Sequence, residues 1–155
     1  MTNHSGANPY QHDQISSADP VELIVLLYDG AIQRIKYASQ EMVKGNHLAS
    51  GIALYRALAI LAELRKSLNM QDGGEVAVNL DRLYLFMHEE LVKGNLERKP
   101  ERLDKVLPML SDFREAWVEI ANQAKTAAAA AASAARAGAA AYRGASEPAG
   151  LAIKA

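Results

Sequence analysis

From Asp19 onward the apolar residues recur at steps of three and four, the period of a helix rather than a strand. Ile24, Tyr28, Ala31, Ile35, Ala38 and Met42 follow one another in this way and form a seam for a neighbouring helix. A second row, Leu23, Leu26, Gly30 and Tyr37, lies ~120° further round at ~100° per residue. The start is well marked. Asp19 is an N-cap residue, Pro20 suits the first helical position because its missing N–H has no partner there, and Glu22 sits where a capping box reaches back. The spacing predicts a helix to about Lys44, with Gly45 as its stop and Asn46 as the cap of the next.

Residues 47–69 predict a second helix with two apolar seams. Leu48, Ile52, Tyr55, Ala59 and Ala62 form one, and Leu54, Leu58, Leu61 and Leu68 form the other. After a turn carrying Gly73 and Gly74, a third helix is predicted over 75–93, ending at Gly94. Its main seam is Val76, Leu80, Leu83, Met87 and Leu91, with Val78, Leu85 and Val92 recurring on another side. Pro100 and Glu101 start a fourth helix with a single stripe: Leu103, Val106, Leu110, Phe113, Trp117 and Ile120. Pro108 inside it removes the hydrogen bond to the carbonyl of Asp104, which predicts a kink or a division. Beyond Asn122 comes an alanine tract and then an end containing Gly144, Pro148 and Gly150. Alanine favours helix yet offers little area to bury, so a fraying helical extension and a disordered tail are expected over 123–155. With no competing strand signal, the predicted fold is all-α: an antiparallel up-down-up-down four-helix bundle over 19–122, with a mobile N-terminal arm over 1–18.

Composition narrows the chemistry. A chain of 155 residues, 50% of them apolar, is long enough for one domain with a real core, and the absence of Cys excludes disulfides and thiolate sites. The arm is polar with Tyr10 and Ile15 as exceptions, has no signal-peptide core, and no apolar run approaches the ~18 residues of a membrane span. A net charge of −1 and no basic stripe argue against nucleic acid. The four histidines, His4, His12, His47 and His88, are scattered and no Glu-x-x-His occurs, so neither a metal nor another cofactor is expected. His88 raises a phosphotransfer bundle as an alternative, but Val92 stands one turn on where such sites need Gly. With no phosphate loop and no activated Ser or Thr, no catalysis is expected. A structural bundle that self-associates through its spare seams is a further alternative.

The ordered motifs resemble those of the flagellin export chaperones, the FliS family. They are Asn8-Pro-Tyr10 in the arm, Leu26-Leu-Tyr-Asp-Gly-Ala31, Glu63-Leu with Ser67-Leu68, Gly73-Gly-Glu-Val-Ala77, Asn79-Leu80, Leu83-Tyr84 with Met87, and Arg114-Glu-Ala-Trp117. The resemblance covers residues 8–122. Asp19 stands where the family more usually has Ser, and the alanine-rich tail lies outside it. The resemblance implies a cytoplasmic type III export chaperone, a monomer or weak dimer, that binds the disordered C-terminal segment of flagellin as short helices and blocks premature polymerisation. The export gate and other flagellar regulators are its further implied partners. The spare seams fit such helix-in-groove recognition. The candidate partner-binding residues are Leu54, Leu58, Leu61 and Leu68, then Val78, Leu85 and Val92, then Leu23, Leu26 and Gly30, with Tyr10 as a movable plug. Gly30 is expected where another element approaches the backbone closely.

Overall fold

A computed structural model of the chain describes residues 19–154, with side chains as far as Gly144; Tyr10 and the rest of the arm lie outside the described residues. The described residues form four helices: α1 Pro20–Val43, α2 His47–Lys66, α3 Gly74–Glu97 and α4 Pro100–Lys154. They form the all-α antiparallel bundle. The chain divides between Val118 and Glu119 into two compact units, so the bundle consists of α1, α2, α3 and α4 to Val118.

Local chemistry sets the boundaries. The Asp19 carboxylate accepts from the Val21 N–H at 3.3 Å and starts α1. At its other end Gly45 takes φ +83°, a conformation that favours glycine, and Asn46 N–H reaches back to the Glu41 carbonyl at 2.8 Å. Asn46 does stand at the N-cap of α2, but its side chain makes no capping bond. Its amide donates instead to Glu41 at 2.7 Å, which holds that carboxyl below its usual range, and Lys44 adds to the effect.

The end of α3 differs from expectation. The helix runs past Gly94 to Glu97 and stops on Arg98 in the left-handed conformation, φ 54°. Gly94 is buried against α4: a Cβ there would stand 2.4 Å from Leu103 Cδ1 and 3.1 Å from Arg102 Cβ. It is a close-approach glycine rather than a stop. Pro108 does not divide α4, which continues through it. Pro108 faces solvent, while Val106 and Leu110 on either side are fully buried and hold the helix in place. The helix also continues to Lys154, beyond the point where the sequence predicted loss of structure.

The core is built from Tyr28, Ala31, Ile35, Ala38 and Met42 of α1, Ala53, Leu54, Ala57, Leu61 and Leu64 of α2, Tyr84, Met87 and Leu91 of α3, and Leu103, Val106 and Leu110 of α4. Phe113 and Trp117 pack against it, whereas Ile120, the last residue of the predicted stripe, is nearly half exposed. The predicted α1 seam is therefore the core seam, with Ile24 at its partly buried end. In α2 the phase is reversed. Leu54 is 1% exposed, while Leu48 at 79% and Tyr55 at 76% stand in water. In α3, Ala77 and Tyr84 turn inward in place of Val76 and Leu83. One polar contact crosses the core: the Tyr28 and Tyr84 hydroxyls are hydrogen-bonded, and burial pushes both phenols above the ordinary value.

Candidate interaction surface

Antiparallel packing leaves a groove between α2 and α3. It encloses about 660 Å³ and is walled by Leu61, Leu68, Met70, Tyr84 and Leu85, with Arg65, Lys66 and His88 among its polar residues. Arg65 Nε donates to Asp81 Oδ1 at 2.5 Å, tying the two helices together across the groove. His88 is exposed there, and among the described residues no group of His, Cys, Asp and Glu could hold a metal ion.

A second groove of about 450 Å³ runs between α1 and α2, lined by Gly30, Gln33, Arg34, Tyr37, Ala49, Ile52, Ala53 and Arg56. A Cβ on Gly30 would stand 3.3 Å from Ile60 Cδ1, the tip of a side chain, and no backbone of α2 lies within 4 Å of it.

The candidate residues separate accordingly. Leu61, Leu68 and Leu85 come together in the α2–α3 groove, although Leu61 offers only an edge because it is otherwise buried. Leu54 is corrected: it is a core side chain and has no surface to offer. Leu58 is half-buried against the core, and Val92 and Leu23 are half-buried as well. Val78 lines a separate shallow depression near Met70 and Arg82. Leu26 is 54% exposed, and Gly30 belongs to the α1–α2 groove.

Sequence reasoning placed His88 at a surface or groove edge, but it did not name Met70 in the first groove, or Tyr37, Ile52, Arg34 and Arg56 in the second, as binding candidates. The reversed phase of α2 caused most of this, and a signal for it existed. The row Leu54, Ala57, Leu61, Leu64, Leu68 stays apolar to the end of the helix, whereas the row from Leu48 dwindles to Ala59 and Ala62 and runs into Lys66. By length and composition alone α2 matches a membrane-crossing helix, with a mean hydropathy of 1.3. Only 33% of that window is buried in the bundle.

The two shared motifs of α1 and α4 meet at the bundle surface and core. Asp29 forms an ion pair with the Arg114 guanidinium, and Trp117 packs against the core to which Tyr28 belongs. A helical bundle built in this way, with apolar grooves on its outside, offers surfaces on which a helical partner can dock. The chain belongs to the FliS family of flagellar secretion chaperones: the family described as "Flagellar protein FliS" matches residues 1–124. It is 37% identical to the flagellar secretion chaperone FliS of Vibrio cholerae over 107 residues, covering 69% of this chain and 79% of that protein. The Salmonella typhimurium FliS is 35% identical, with 71% of this chain and 82% of the relative covered. The Bacillus subtilis FliS is 30% identical, with 70% and 80% covered.

Proposed function

We propose that this protein is a cytoplasmic export chaperone whose client is the C-terminal segment of flagellin, and that the segment docks as a short amphipathic helix in the α2–α3 groove. The observation that carries this reading is the apolar wall of Leu68, Met70 and Leu85 beside Tyr84, which none of the described residues covers. A folded bundle gains nothing from exposing such a wall in water unless a partner covers it. By occupying the segment before export, the chaperone prevents it from pairing with other subunits. The export gate and other flagellar regulators are further proposed partners, and the N-terminal arm with Tyr10 is proposed to cover part of the same apolar surface when no client is bound.

The test is co-elution of the full chain with a synthetic flagellin C-terminal segment, together with the far-UV circular dichroism of the mixture. A stable complex with gained helicity is expected. Leu85→Asp, on a side chain 40% exposed, should weaken that complex by at least roughly tenfold while the free protein keeps its melting temperature. Absence of co-elution with the unaltered chain refutes the reading.

A further inference from the structure

We infer that the α1–α2 groove takes a two-turn helical segment of a partner protein bearing a carboxylate among apolar residues, with the carboxylate seated between Arg34 and Arg56. This rests on the reading of the chain as a chaperone that binds its client as short helices.

The groove is suited to such a segment in shape, surface and charge. It is bounded by Gly30 to Tyr37 on one side and Ala49 to Arg56 on the other, in each case ~10 Å of helix at ~1.5 Å per residue. Tyr37 and Ile52 are each about half exposed and present apolar area, and Ala49 and Ala53 between them leave room for an incoming side chain. Ile52 also belongs to the outward row with Leu48 and Tyr55, so an occupant leaving the groove meets more apolar surface.

Charge specifies the occupant further. Two arginines line the groove, and no carboxylate does. Elsewhere in the bundle Arg65, Arg102 and Arg114 each face an Asp or Glu partner, while Arg82 and Arg98 have none among the described residues. Arg34 and Arg56 likewise have none among them. The Arg34 Nε atom is moreover buried with no hydrogen-bond acceptor among the described residues. A guanidinium donor withdrawn from water is a standing cost that an arriving acceptor removes, and a carboxylate is the acceptor whose geometry matches the guanidinium fork. A bare anion would satisfy the arginines but leave Tyr37 and Ile52 uncovered. An apolar helix would cover those two and leave Arg34 unsatisfied, so the segment that does both is acidic and amphipathic.

The experiment uses the full chain and the synthetic flagellin C-terminal segment, titrated calorimetrically at two salt concentrations. Arg34→Gln/Arg56→Gln should weaken binding by roughly tenfold to a hundredfold and flatten its salt dependence. Changing the segment's Asp and Glu residues to amides one at a time should identify one position that costs as much in the unaltered protein and nothing more in the double variant. Arg56→Gln alone tests the same coupling on an exposed side chain, should the double variant unfold. Unchanged affinity and salt slope in both variants overturn the inference, and so does full additivity at every carboxylate. The chaperone reading then still stands on the Leu85→Asp result. Inorganic phosphate competing at the segment's own affinity also overturns the peptide assignment. A segment that fails to bind the unaltered chain removes both readings.

Discussion

Two glycines inside helices meet opposite surroundings, and the same substitution should act on them with opposite sign. At Gly51 an added Cβ meets nothing within 4 Å and the residue sits in the second turn of α2. Gly51→Ala should therefore raise stability by about 0.5–1 kcal/mol, the helix-propensity difference, as read from urea unfolding. At Gly94 the same methyl would collide with Leu103, which is fully buried, and with the backbone-proximal Cβ of Arg102. Gly94→Ala should lower stability by about 1–3 kcal/mol in the same assay, because the α3–α4 approach must open. The Tyr28–Tyr84 pair adds a pH dependence. Burial raises both phenols above their ordinary 10.0, so the folded state keeps protons that the unfolded chain releases above that pH. Their contribution is complete below pH 10.0 and declines as pH rises beyond it. The melting temperature should drop across that range, and Tyr28→Phe/Tyr84→Phe should show a shallower drop.

At the scale of elements, α1 was legible because its main seam from Tyr28 to Met42 is the core seam, and α4 up to Val118 because it has a single dominant stripe. Caps and turns at Asp19 and Gly45 were legible for the same kind of reason: few residues satisfy those positions. α2 was not, since both of its faces are apolar and periodicity alone does not say which one meets the core. The choice followed continuity along the helix: Leu54, Leu61 and Leu64 fill the interior to its end, with Ala53 and Ala57 beside them, while Leu48, Ile52 and Tyr55 stand outside. The grooves inherited that ambiguity, because a groove is defined by the two helices that flank it and a seam by one. Close approaches such as Gly94 against Leu103 join residues of different helices and leave no periodic trace. The α1–α2 connection carries its own prediction. Glu41 is held below its ordinary 4.5 first by the Asn46 amide, and its contribution is present above that value and lost as pH falls below it. Asn46→Ala should move the Glu41 carboxyl titration, followed by carbon-detected NMR, upward toward 4.5.

For the molecule as a whole, the division at Val118 and Glu119 separates two kinds of helical stability. In the bundle, helices are held by buried side chains, and the loss of that packing is cooperative. In the second unit every described side chain from Asn122 to Gly144 is exposed, and most are alanine. Such a helix rests on intrinsic propensity alone, which is marginal near room temperature and melts gradually. The family match ends at residue 124, so a chain ending there keeps the shared domain and loses the tract. Followed at 222 nm, the full chain should lose part of its signal in a broad slope starting well below the main transition, and the shortened chain should show the sharp transition alone. The midpoint should be the same in both, because alanines standing in water add no buried area to the core. A midpoint that falls by several degrees on shortening would mean that the tract stabilises the bundle, and the packing described above would then omit one of its supports.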